Sequence, residues 1–175
     1  MAVSTFGLNK KSKTMKTTRE QANENLHNEI TESLQDLLEK NYDAEKGFTK
    51  AMGNVKSVSL KNFLKNQAAQ RSRFATELDQ ELRNLNEEPI ESGSVTGDLH
   101  RAWIDIKSAF TGNEEESVLE ECIRGEKASA KEYEEKLEKY NYPPHLAEVL
   151  RNQSNEIHQT LSQVKRLEDL ADDNY

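Results

Sequence analysis

The sequence predicts an all-α protein, an antiparallel four-helix bundle whose third helix is broken. Apolar residues recur at spacings of three and four in four long segments, as on one face of an α-helix. The chain holds only 7 Gly and 3 Pro, and the clear breaks fall between these segments. Packing the four apolar stripes against one another buries them in a folded-back bundle.

One domain accounts for the 175 residues. We expect residues 1–18 to be a flexible polar tail, residues 19–171 to form the bundle, and residues 172–175 to be a frayed acidic end. The tail carries a basic run from Lys10 to Lys16, which fits either a disordered leader or contact with an anionic surface.

The first two helices are predicted over Thr18–Gly53 and Ser57–Leu85. Gly53 and Asn54 should end the first, because both residues tolerate the left-handed conformation of helix ends. The connection that begins at Asn86 has loop chemistry and is long for a bundle.

The third helix is expected in two halves, separated by Thr111-Gly112-Asn113. The first half starts near Ser94 or Thr96, and the second starts near Asn113, which is a good N-cap. The fourth helix follows Pro143-Pro144, since proline is well tolerated at the first helical position.

Composition limits the functional classes. The net charge of −8 argues against nucleic acid and anionic membranes as partners. A single cysteine, Cys122, cannot form a disulfide within the chain. Neither a signal peptide nor a bilayer-spanning run is evident, so we expect a soluble cytoplasmic protein.

Polar residues interrupt the inward stripe of each of the four main segments, which predicts a shared internal layer, because buried polar groups are costly unless paired. A structural network centred on the Arg71 guanidinium, a degenerate or single-metal site, and a misjudged solvent-facing row all remain open. The residues of this layer are Asn41, Glu45, Gln67, Arg71, Glu126 and Gln153.

Carboxylate-bridged two-metal sites in four-helix bundles use Glu-x-x-His pairs, and this chain contains none. Glu156 and His158 are two residues apart and therefore lie on different helix faces. No cofactor is expected. Iron or another divalent metal is the alternative, and its candidate ligands are Glu45, Glu81, Glu126, Glu156 and His158.

The least generic stretch runs from Gly93 to Trp103. Its glycines flank a predicted helix start, where backbone N–H groups are able to hold an anion, although an ordinary N-cap is the simpler interpretation. Its notable residues are Gly93, Ser94, Gly97, Leu99, His100, Arg101 and Trp103.

With this stretch, the segments Asp43–Phe48, Arg73–Leu78 and Glu120–Glu126 make the chain, over roughly residues 20–170, resemble a family. It is similar to the bacterial ferritin-like four-helix-bundle proteins of unknown function, sometimes described as stress-type. The resemblance implies a ferritin-like antiparallel four-helix bundle. It implies no activity, because fold does not determine function.

Three functions therefore compete. The first is a non-enzymatic stress-associated or scaffold bundle, for which a homodimer is one arrangement. The second is a metal-dependent oxidase or storage protein. The third, a peptide- or lipid-binding bundle, requires a sizeable apolar cavity. No nucleophile elbow or Gly-rich phosphate loop identifies a catalytic residue.

Overall fold

The computed structural model describes residues 16–93 and 114–172, and it describes side chains over residues 16–93 and 116–164. Within these ranges the chain forms four helices and no strand, which confirms the all-helical prediction. The helices are α1 (Thr18–Met52), α2 (Val58–Asn84), α3 (Glu114–Lys139) and α4 (Pro144–Asp172). The predicted first half of the broken third helix lies outside the described residues.

The start of α1 is fixed by a capping box. The Glu20 backbone N–H donates to the Thr17 hydroxyl over 3.3 Å, and the Glu20 carboxylate accepts from the Thr17 N–H at 2.7 Å. Thr18, predicted to end the tail, is therefore helical. At the other end of the chain, the last helix extends to Asp172.

The predicted end of α1 is wrong in its geometry. Gly53 has φ −70° and ψ −17°, which is right-handed backbone that any residue adopts. Its N–H donates to the Lys50 carbonyl over 3.2 Å, so a tight right-handed turn closes this helix. Ser57, predicted as the first residue of the second helix, instead caps it by accepting from the Leu60 N–H at 3.2 Å.

The end of α2 does use a left-handed residue. Asn86 has φ 61°, which asparagine tolerates better than most residues do. The Glu87 N–H donates to the Leu82 carbonyl over 3.0 Å, and the Asn86 N–H donates to the Arg83 carbonyl over 2.9 Å. These two bonds form a Schellman motif, which stops the helix and sets the direction of the following segment.

Two helix pairs make most of the contacts between elements. α1 packs mainly against α2, and α3 packs mainly against α4. The two pairs meet where α1 contacts α3 and where α2 contacts α4. Residues 53–57 and 140–143 connect the partners within each pair, whereas residues 85–113 connect one pair to the other.

The apolar core consists of two clusters separated along the bundle. On every helix, a polar buried residue lies between the positions assigned to the two clusters. On α1, for example, Asn41 lies between Leu38 of one cluster and Phe48 of the other. The equivalent polar residues on α2, α3 and α4 are Arg71, Glu126 and Thr160.

Candidate functional site

An ion pair between α2 and α3 lies at the centre of the polar layer. The Arg71 Nη2 donates to Glu126 Oε2 over 2.6 Å, and these side chains are 3% and 0% exposed. The Arg71 Nη1 also donates to Ser129 Oγ at 3.0 Å and to Asn41 Oδ1 at 3.3 Å. One buried cation thus bonds to groups from two other helices, in the planar geometry that suits a guanidinium.

A hydrogen-bonded relay extends this pair to the fourth helix. The Asn41 amide donates to the Tyr133 hydroxyl over 2.8 Å, and that hydroxyl donates to Gln153 Oε1 over 2.7 Å. The Gln153 amide then donates to Glu77 Oε2 at 2.7 Å. All four helices are therefore joined by one connected set of hydrogen bonds.

Sequence reasoning missed Tyr133, Ser129 and Glu77 as members of this set. Tyr133 was not among the residues predicted for the polar layer, yet a buried tyrosine hydroxyl generally needs a partner, and that rule was the available signal. Burial raises the pKa of the Tyr133 hydroxyl far above its usual range, so it remains a neutral donor. Glu77 had no comparable signal, because it lies at the edge of α2 and is partly exposed.

The central ion pair is incompletely satisfied. Arg71 Nε and Glu126 Oε1 are buried and have no hydrogen-bond partner among the described residues. Each unmade bond of this kind costs free energy, typically about 1–3 kcal/mol. The pair is therefore better suited to fixing the register of α2 against α3 than to adding net stability.

Gln67 is buried but belongs to a different contact. Its Oε1 accepts from the Thr160 hydroxyl over 3.1 Å, and the same hydroxyl lies 3.3 Å from Gln70 Oε1. Gln67 therefore links α2 to α4 without a direct bond to Arg71.

Glu45 lies outside the polar network, contrary to the sequence prediction. It is only partly buried and makes no hydrogen bond or ion pair with another described residue. The reason is a drift of the buried stripe along α1. Beyond Asn41 the inward positions are taken by Gly47, Phe48 and Ala51, which leaves Glu45 at the edge.

The five candidate metal ligands are dispersed rather than clustered. Four of them have separate partners: Glu81 with His145 at 3.2 Å, Glu126 with Arg71, Glu156 with Arg73, and His158 with Glu134 at 2.9 Å. In residues 16–93 and 114–172, no three His, Cys, Asp or Glu side chains are placed to share a metal ion. Glu126 and the half-buried Glu45 therefore do not converge with Glu81, Glu156 or His158 on one centre.

The distinctive glycine segment begins with a close backbone contact. A Cβ at Gly93 would lie 2.8 Å from the Asp43 carboxyl carbon and 3.1 Å from the Asp43 backbone nitrogen, so a side chain there would require Asp43 to shift. Asp43 is itself buried, and its Oδ1 has no hydrogen-bond partner among the described residues. The nearest group to Gly93 is thus a carboxylate, which argues against an anion at this residue. Ser94, Gly97, Leu99, His100, Arg101 and Trp103 lie outside the described residues.

Fold and site together define an all-helical protein whose core is divided by a buried arginine–glutamate layer. Residues 29–139 match the family model described as a domain of unknown function (DUF2383). This match covers more than half of the chain, and the chain belongs to that family. It includes Arg71, Glu126 and Tyr133 but ends before α4. A search of curated proteins found no match. Among the described residues, no helix is long and apolar enough to cross a membrane.

Proposed function

We propose that this protein is a non-enzymatic scaffold or interaction bundle whose central polar layer is structural. The observation that carries the proposal is the buried Arg71–Glu126 pair at the centre of the four helices. Carboxylate four-helix proteins hold their metal ions in this part of the bundle. Here the Arg71 guanidinium supplies positive charge to Glu126, and a guanidinium has no lone pair available for a metal.

The partners of the other carboxylates support the same conclusion. Glu156 contacts the Arg73 guanidinium, and Glu81 lies beside His145. These contacts fall on the outer side of the α2–α4 contact, where Arg73 and His145 are exposed. Binding one metal ion with these carboxylates would require breaking several separate interactions and moving side chains inward.

The proposal includes a ferritin-like antiparallel arrangement of the helices. Across both contacts between the helix pairs, residue numbers rise on one helix as they fall on the other. The pairs that support this direction are Asp36–Lys136 and Lys40–Glu132 between α1 and α3, and Glu81–His145 and Gln67–Thr160 between α2 and α4. In that arrangement α2 and α3 run parallel, which requires a long connection between them, as in ferritin-like folds with one crossover.

The remaining parts of the proposal concern the cellular setting. The net charge of −8 supports a protein partner over nucleic acid or an anionic membrane, and a homodimer remains one proposed arrangement for the light-scattering test below. A cytoplasmic location agrees with the single reduced cysteine. The stress-associated and bacterial assignments rest on the family resemblance, and protein abundance after oxidative or osmotic challenge tests the former.

Elemental analysis of protein purified without chelators and then loaded with ferrous iron tests the proposal. We expect no stoichiometric iron, manganese, zinc or copper, and no iron-dependent oxygen consumption. One or two bound equivalents that disappear in Glu126→Ala, but persist in Glu120→Ala, would overturn it in favour of the metal-binding alternative. Glu120 is a matched control because it lies on the same helix and is exposed. Light scattering on the same samples measures the oligomeric state.

A further inference from the structure

The segment after α2 lies against α1 and contacts it at three regularly spaced positions. His27 Nε2 lies 2.7 Å from Glu87 Oε1, Gln35 contacts residues 88 and 90, and Asp43 contacts Gly93. The three α1 residues are eight positions apart, so successive residues lie about 12 Å apart along the helix axis and about 80° apart around it. We call residues 86–93 the strap and His27, Gln35 and Asp43 its anchors.

The spacing shows that the strap is extended. The anchors span about 24 Å along α1, given a rise of about 1.5 Å per residue. Six residues separate Glu87 from Gly93, and an extended chain covers about 20 Å in that length. The strap is therefore close to fully extended, and it winds part of the way around α1 while running in the same direction as that helix.

The middle anchor holds the main chain of the strap. The Gln35 amide nitrogen donates to the Glu88 carbonyl over 2.7 Å, and its amide oxygen accepts from the Ile90 N–H at 3.0 Å. The Gln35 side chain thus provides hydrogen-bond partners for one carbonyl and one N–H of the strap. These two backbone groups lie outside any helix or strand that would otherwise pair them. Gln35 is the only one of the three anchors with two hydrogen bonds to the strap among the described residues.

The two outer anchors hold the strap less firmly. The His27–Glu87 contact joins side chains that are 39% and 36% exposed, where solvent weakens ion pairs. At the other end, Gly93 covers the buried Asp43 carboxylate, whose Oδ1 has no partner in the described part of the chain. Closing the strap over Asp43 therefore removes a charged oxygen from water without a compensating hydrogen bond.

We propose that the strap detaches from α1 as one unit while the four helices stay folded. The two hydrogen bonds between the Gln35 side chain and the strap determine how often it opens. Segments with few buried apolar contacts and few hydrogen bonds open more readily than packed helices. Here Pro89 and Gly93 are buried and Ile90 is partly buried against the core, whereas the rest is largely exposed. The Schellman motif at Asn86 gives the opening a fixed pivot. This inference does not depend on the proposed function.

Opening would uncover a specific surface. Ile90 packs against the first apolar cluster, and its departure exposes that contact together with the Gln35 amide and the Asp43 carboxylate. Of these three features, the Gln35 amide is the one that hydrogen-bonds the main chain of the strap in the closed form.

Amide hydrogen exchange on the full-length protein, read by mass spectrometry, tests this proposal. Gln35→Ala should accelerate exchange in peptides covering the strap by at least about tenfold, because both hydrogen bonds from the Gln35 side chain to the strap are lost. Exchange in central α2 around Phe74 should change by less than about twofold. The matched control is Gln21→Ala on the same helix, since the Gln21 side chain bonds only to Asn25 in the described residues and its removal should leave the strap unchanged.

A second variant tests the other end. Asp43→Asn keeps the shape of the side chain but removes its charge, so strap exchange should become slower than in the unaltered protein. Two results would overturn the proposal. One is no acceleration of strap exchange in Gln35→Ala, and the other is an equal acceleration in the strap and in central α2, which would indicate global unfolding instead of local opening.

Discussion

Replacing Arg71 with leucine should destabilise the protein severely, because it strands a buried charge. In the native protein the guanidinium bonds to Glu126, Ser129 and Asn41. Without it, the fully buried Glu126 carboxylate loses its only hydrogen-bond partner in the described part of the chain. Removing one partner of a buried ion pair typically costs about 3–5 kcal/mol. Because the free energy of unfolding of a whole domain is about 5–15 kcal/mol, the Arg71→Leu variant should still fold but with a much smaller free energy of unfolding.

The assay is urea denaturation followed by far-ultraviolet circular dichroism, with thermal unfolding as a second measurement. For a chain of this size, the expected loss corresponds to a decrease in Tm of roughly 6–20 °C. The matched control is Arg73→Leu, two residues away on the same helix. Arg73 is 47% exposed and pairs with Glu77 and Glu156, so its loss should cost no more than about 1 kcal/mol.

A double variant separates two effects of losing Arg71, namely the unpaired charge left on Glu126 and the loss of side-chain packing. Arg71→Leu/Glu126→Leu removes both members of the pair and should recover at least about 2 kcal/mol relative to Arg71→Leu alone. The recovery should be incomplete, because Asn41 and Ser129 still lose their partner. The reasoning is refuted if Arg71→Leu costs no more than Arg73→Leu, or if the double variant is no more stable than the single one.

Three further outcomes follow from burial in the core. Tyr133→Phe removes the hydroxyl that joins α1 to α4 and should cost about 1–3 kcal/mol in the same urea assay, with unchanged stability as the contrary result. Burial raises the pKa of the Cys122 thiol to about 12, so a thiol reagent at pH 8 should label the denatured protein and leave the native protein largely unlabelled. Burial also raises the pKa of Tyr142 to about 12, which favours its neutral form in the folded state. Its contribution to stability is complete below about pH 10 and is lost as the pH rises toward 12, so the Tm should fall across that range, and less steeply in Tyr142→Phe.

Helical periodicity was sufficient to locate most inward positions of this protein. Asn41, Arg71, Glu126 and Gln153 were placed on apolar stripes from their spacing, and all four are buried. Spacing predicts burial here because the geometry of the α-helix is fixed, and residues three and four apart share a face. The same geometry explains the error at Glu45, because a stripe that drifts around the helix moves a nominally inward residue to the edge.

The bonding pattern within the core required the tertiary structure. Periodicity gives the direction of a side chain but not the level at which two helices meet, so it did not pair Arg71 with Glu126 or Gln67 with Thr160. It also treated Tyr133 as an apolar residue, although its hydroxyl connects two helices. Such pairings depend on the relative shift of the helices along their axes, which side-chain packing determines.

What the sequence by itself determined was the helical class, the four amphipathic segments and the presence of polar residues on their buried faces. Local propensity and helical spacing are sufficient for these features, since they involve residues close together in the chain. Only the tertiary structure decided that Arg71 pairs with Glu126, and that Gly93 lies in close contact with Asp43. Both contacts join residues about 50 positions apart, and their distance depends on how whole helices and the strap are packed together.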